Sequence, residues 1–150
     1  MQTDYAQELA NFLDTVKRQL PENQREILLS GTNTPLSGTQ GHVLMLLAEE
    51  GPLSNSELVG ELEISPAAVT KAMHVLKAAA PAVVIQEHDA KDARIKRWAL
   101  TEEGRKLAIQ HEAAHRATNT EYAKILNQFS SSEQATISQF MKLMTQRLEK

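Results

Sequence analysis

The sequence predicts a mainly α-helical fold interrupted by one two-stranded β-hairpin. Three observations carry that prediction. Apolar residues recur at helical spacing over most of the 150 residues. Between 83 and 100 the period changes to a β-branched run and then to alternation. Residues that cap helices stand at each change of pattern, namely Ser37 or Thr39, Ser54, Ser65, Thr101 and Ser130.

Taken in order, residues 4–20 place Leu9, Phe12, Leu13, Val16 and Leu20 on one helical stripe, which Pro21 interrupts. A second helical stretch runs from Glu22 to about Leu29. Residues 30–38, rich in Ser, Gly, Thr and Pro, form a loop. The next helix spans Gln40 to Glu50 with Val43, Leu44, Leu46 and Leu47 inward, and Gly51-Pro52 stops it. Ser54 followed by Glu57 is a capping box that opens a short helix ending near Leu62. Glu63-Ile64-Ser65 turns the chain. Ser65 then caps a further helix, with Pro66 at the first position, where no N–H is needed, and Val69, Ala72, Val75 and Leu76 as its apolar stripe. Val83-Val84-Ile85, a polar turn at Glu87–Asp92, and alternating Arg94–Leu100 read as the hairpin. Trp98 and Leu100 share one of its faces and Arg97 takes the other. Thr101 opens a long helix to about Phe129. Ser130–Ser132 and Glu133 break it and start a last helix carrying Ile137, Phe140, Met141, Met144 and Leu148.

Two short helices, a tight turn and a hairpin make a helix-turn-helix with a wing. The helix after Ser65 has a small, polar N-terminal end and one apolar face. Such a helix suits a DNA major groove, because the apolar face docks on its partner while the other end reads bases. The expected organisation is one domain over 1–150. Its winged helix-turn-helix occupies about 39–100, and helices within 4–29 and 102–150 form a dimerisation region, since their apolar faces need a partner.

Composition bounds the function. Hydrophobic residues make up 41%, normal for a soluble globular domain. No apolar run approaches membrane-span length, and Met1-Gln2-Thr3-Asp4 lacks a signal-peptide pattern. The absence of cysteine excludes disulfides and thiolate zinc sites and fits a cytoplasmic protein. The net charge of −3 is unevenly spread: −7 over 1–63, +3 over 64–100 and +1 over 101–150. The positive excess lies on the segment expected to meet DNA.

With this order of elements the chain resembles the MarR-type winged-helix regulators. The wing carries their signature, D-x-R-x5-L-T-x-x-G, as Asp92, Arg94, Leu100, Thr101 and Gly104. The resemblance implies a symmetric homodimer on a palindromic double-stranded operator, with Arg94 reaching toward the minor groove, whose negative potential favours it. Asp92 is then structural. Lys71 and Lys91 supply salt-sensitive phosphate contacts. Ser54 and Asn55, together with Ser65, Pro66, Ala67 and Thr70, complete the expected DNA-binding set. The segments 22–28, 39–47 and 65–72 are similar to one branch of that family, the zinc-responsive repressors of zinc-uptake genes (the AdcR/ZitR type).

His111-Glu112-Ala113-Ala114-His115 is the chemically loudest segment. Histidines at i and i+4 share a helical face, so both imidazoles can reach one ion. By the zinc-repressor resemblance, Glu26 and His42 join His111 and His115 as ligands of a regulatory Zn2+. That branch often has a second, weaker site, which needs a loop cysteine and acids just before the two matching histidines. Here Thr32 or a neighbour, Gly41 and Gln110 stand there, so the second site is expected to be absent or weakened.

H-E-x-x-H is also the zincin protease motif, in which Glu112 would activate a zinc-bound water and Glu133 could be the third ligand. A chain already occupied by a winged helix leaves no substrate cleft, and the expectation is a non-enzyme. Two other readings are a MarR-type repressor released by a small organic ligand, and a module that only dimerises. His74 and His88 read as surface histidines.

Overall fold

The computed structural model describes residues 3–19 and 36–150. The expected second helical stretch from Glu22 to Leu29, and with it Glu26, lies outside the described residues, as do Leu20, Pro21 and Thr32. The order of elements is α1 (Tyr5–Gln19), α2 (Gly38–Glu50), α3 (Asn55–Leu62), α4 (Pro66–Ala78), β1 (Val84–His88), β2 (Lys96–Leu100), α5 (Glu102–Leu126) and α6 (Ser131–Leu148).

Side-chain caps set the helix starts. Ser37, not Thr39, begins α2. Its hydroxyl accepts from Gln40 N, and Gln40 Oε1 accepts from Ser37 N at 3.2 Å, so the helix opens two residues earlier than the apolar stripe alone suggests. Ser54 and Glu57 form the second capping box, and Glu63, in the left-handed region at φ 51°, turns the chain into α4. Ser65 Oγ accepts from Ala68 N at 3.1 Å, with Pro66 in the first turn.

The core lies where α2, α3 and α4 meet the root of the hairpin. It holds Val43, Leu44 and Leu47 from α2, Leu58 from α3, Val69, Met73 and Leu76 from α4, and Val83, Val84 and Trp98 from the wing. One expectation is corrected here. Val75 is 47% exposed, and Met73, at 2%, takes the inward place. Positions 69, 72, 73 and 76 follow the helical repeat, whereas 75 falls well round the cylinder.

The hairpin is antiparallel, with Val84 opposite Leu100 and His88 opposite Lys96. β1 therefore runs on through Glu87 and His88, which the sequence assigned to the turn. Pairing with β2 overrides their polarity, since the strand's outer face meets water. Leu53 adds a short third rung by exchanging backbone hydrogen bonds with Trp98 at 2.8 and 3.1 Å. The wing then hands over to α5 through Thr101. Its hydroxyl donates to Ala82 O at 2.6 Å and accepts from Gly104 N at 3.1 Å. Gly104 has to lack a side chain, because a Cβ there would stand 2.0 Å from Val83 O.

α5 packs on α2 and on β2. α1 and α6 bury no residue. Their Tyr5, Phe12, Phe140, Met141, Leu143 and Leu148 are exposed. Among the described residues, no helix is long and apolar enough to cross a membrane.

Candidate metal centre and nucleic-acid interface

The packing of α2 on α5 brings three histidines together. His42 comes from α2, and His111 and His115 come from successive turns of α5. One ring nitrogen of each lies within 4.8 Å of the others. His42 Nε2 and His115 Nε2 are 3.1 Å apart, and the ring of His111 stands edge-on to His42 at 5.8 Å between centroids. His111 is fully buried.

Two imidazole nitrogens at hydrogen-bond distance must share a proton or an ion, because two lone pairs directed at each other repel. Neutral imidazole is also a preferred zinc ligand. Around a tetrahedral zinc, bonds of roughly 2.0–2.1 Å put ligand nitrogens about 3.3 Å apart. The His42–His115 pair already has that spacing, and the donor set fits zinc. Of the four residues singled out for metal, the structure brings His42, His111 and His115 together, while Glu26 lies outside the described residues.

Gly41 contributes to this arrangement, which the sequence reading did not anticipate. A Cβ at Gly41 would lie 2.2–2.4 Å from three atoms of the His111 ring. The bare Cα lets the imidazole lie against α2. The available signal was a glycine inside an otherwise helical run, which points to close approach.

The glutamate of H-E-x-x-H and the third ligand considered with it are engaged elsewhere. Glu112 Oε1 accepts from Arg116 Nη2 at 2.5 Å one turn along α5. Glu133 Oε2 accepts from Ser130 N at 2.7 Å in the α6 capping box, which holds its carboxyl below the usual range. His74 is exposed. So is His88, whose Nδ1 meets Ala93 O at 2.8 Å.

Ser65, Pro66, Ala67, Thr70 and Lys71, at and just after the start of α4, are all exposed. Thr70 Oγ1 donates back to Pro66 O at 3.0 Å. At the wing turn, Lys91 is exposed and the Arg94 side chain is 90% exposed. Arg94 donates through Nε and Nη2 to the two oxygens of Asp92, at 3.0 and 2.9 Å. The guanidinium is the main reason the Asp92 carboxyl lies below its ordinary range. Ser54 and Asn55 are tied into the fold. Ser54 caps α3, and Asn55 Oδ1 accepts from Trp98 Nε1 at 2.8 Å. A cleft between the start of α3 and the wing is lined by Ser54, Asn55, Ser56, Gln86, Arg94 and Lys96. Ser56, Gln86 and Lys96 were not singled out in the sequence, since their place beside Arg94 arises only when the wing folds back on α3.

The MarR family profile matches residues 36–79, the span from α2 through α4. The chain is 36% identical over 143 residues to the transcriptional regulator ZitR of Lactococcus lactis subsp. cremoris, covering 94% of this chain and 96% of that one. Its fold is similar to that of Lactococcus lactis ZitR in complex with DNA. The TM-score is 0.83 at 34% identity, over 98% of this chain and 99% of that one. It is also similar to the zinc-dependent MarR family transcriptional regulator AdcR in the Zn(II)-bound state. There the TM-score is 0.76 at 36% identity, over 98% and 99% of the two chains. With this likeness along nearly its whole length, and with the helix-turn-helix, wing and signature residues in place, the chain belongs to the MarR family of transcriptional regulators and is not an enzyme.

Proposed function

We propose that this protein is a zinc-dependent DNA-binding transcriptional repressor of zinc-uptake genes, with zinc as co-repressor. The observation that carries the reading is the cluster of His42, His111 and His115, drawn from two helices. Glu26 is the proposed fourth ligand. The likeness to a regulator solved with DNA and to one solved with zinc supports both halves of the reading.

The exposed start of α4, with Ser65, Pro66, Ala67, Thr70 and Lys71, enters the major groove. Lys91 and Arg94 bring the wing to the flanking backbone and minor groove. Ser54 and Asn55 lie beside the backbone at the start of α3. Two copies of the chain join through the uncovered apolar faces of α1 and α6 and read a palindromic operator in the cytoplasm. Zinc bound where the reading head meets α5 restricts how the two heads sit and favours the span that matches successive grooves. Coupling is reciprocal, so DNA tightens zinc by the same factor, worth about 1–3 kcal/mol.

The test is binding of the full chain to duplexes from the promoters of zinc-uptake genes, with and without zinc, for wild type and His111→Ala. The expected result is zinc-enhanced binding by wild type and no response in the variant. Full operator affinity in the presence of a strong chelator would overturn the co-repressor role.

A further inference from the structure

Arg97 belongs by sequence to the positive segment that faces DNA, but its surroundings differ from those of the other cations there. Its side chain is only 25% exposed. Nε donates to Asp89 Oδ2 at 2.6 Å, and Nη1 donates to Glu57 Oε2 at 2.5 Å. Glu57 sits in the first turn of α3, where the same oxygen accepts from Ser54 N at 2.9 Å. The other oxygen of Asp89 accepts from the backbone N–H groups of Lys91 and Asp92, at 2.8 and 3.0 Å. Asp92 in turn holds Arg94. A continuous chain of charge-assisted hydrogen bonds therefore runs from the N-terminus of α3, through Arg97, to the turn that carries Lys91 and Arg94.

One guanidinium between two carboxylates leaves the trio with net negative charge, so it does not attract phosphate. We infer that Arg97 is a positioning residue. It fastens the wing to the helix-turn-helix and fixes where Lys91 and Arg94 meet DNA, without touching DNA itself. The Asp89 carboxyl, held down to about 2 chiefly by Arg97, is consistent with a firmly made contact. This inference rests on the DNA-reading role proposed above.

The experiment separates a brace from a phosphate contact by salt dependence and by sign. A duplex is selected from a random library with the zinc-loaded full chain and labelled. Its affinity is then measured over a salt series for wild type, Lys91→Gln, Arg97→Gln and Glu57→Gln. Losing a phosphate contact flattens the slope of log affinity against log salt by about 0.9. Lys91→Gln is expected to show that flattening. Arg97→Gln is expected to weaken binding about three- to tenfold at every salt concentration with the slope unchanged, a range that reflects a partly exposed ion pair. Glu57→Gln keeps the capping box, because Gln serves there as well. It removes a negative charge from the DNA-facing head, so simple electrostatics predicts tighter binding. The brace predicts a loss of the same three- to tenfold order. Zinc affinity serves as the folding check, and if Arg97→Gln fails it, Glu57→Gln decides. A flattened slope in Arg97→Gln, or wild-type or tighter binding by Glu57→Gln, would overturn the inference. Failure of the wild type to select any duplex overturns the DNA-reading role, and the brace's purpose with it.

Discussion

Replacing Gly41 by alanine tests the geometry of the metal centre with a single carbon. Inside a helix, Gly→Ala ordinarily stabilises by about 0.5–1 kcal/mol, because alanine loses less backbone entropy. Gly60 in α3 meets that condition, since an added Cβ there has nothing within 4 Å. At Gly41 the new carbon would stand 2.2–2.4 Å from the His111 ring. Contact normally begins at about 3.5 Å, so the ring has to retreat by about 1 Å. His111 is fully buried and has little room to do so. Overpacking of this kind costs about 1–3 kcal/mol. Gly41→Ala is therefore expected to be less stable than Gly60→Ala by about 1–3 kcal/mol in urea unfolding without metal. The displaced imidazole also leaves the cluster, and zinc affinity in competition with a chromophoric chelator is expected to fall about 10–100-fold, as when a supporting contact of a metal site is lost. If Gly41→Ala matches Gly60→Ala in stability and the wild type in zinc affinity, the close approach does not position His111.

One more outcome follows from a named contact and one from the proposed fourth ligand. Arg97 is the largest of the influences that hold the Asp89 carboxyl at about 2. A carboxyl depressed on folding contributes its stabilisation above the ordinary aspartate range. That contribution fades as pH falls from about 4 toward the folded value. A carbon-13 titration of Asp89 is expected to show a midpoint near 2 in the wild type and a clear upward move in Arg97→Gln. The return to the ordinary value stays incomplete there, because the N–H groups of Lys91 and Asp92 remain. An unmoved midpoint would remove Arg97 as the cause. Glu26→Gln is expected to retain measurable zinc binding through the three histidines while losing most of the zinc enhancement of DNA binding, read by titrating both ligands. Undiminished enhancement would exclude Glu26 from the regulatory site.

Local signals carried most of the architecture. Ser54, Ser65, Thr101 and Ser130 all cap the helices they were expected to start, because a cap is a contact within three residues. The i,i+4 histidines were visible for the same reason. What failed to show were contacts across long stretches of chain. Asn55 to Trp98 spans 43 residues and Glu57 to Arg97 spans 40. Periodicity sorts side chains into faces but does not say which distant face they meet, so the sequence places Asn55 in the DNA-binding set and Arg97 only on the hairpin face opposite Trp98. His42 lies 73 residues from His115. Only its resemblance to the zinc repressors, and nothing in its neighbours, linked it to His111 and His115. The exchange of Val75 for Met73 in the core was legible locally, since 73 keeps the helical repeat of 69, 72 and 76 and 75 does not.

The arrangement of the histidines limits how zinc can act on DNA binding. A ligand shifts an equilibrium only by the difference in its affinity for the two states. His42 and His115 stand 3.1 Å apart, on two helices that pack against each other. An ion held by these side chains alone would stiffen an existing contact and discriminate weakly between head positions. Discrimination needs a ligand whose approach is not fixed by the packing of α2 on α5. On the proposed set the candidate is Glu26, which lies outside both helices in sequence. Affinity and regulation would then be divided. The histidines would capture the ion, and the carboxylate would link capture to the placement of the heads. On this proposal zinc would act on the placement of the heads rather than on the core, because Val43, Leu44 and Leu47 are buried on the same helix that carries His42.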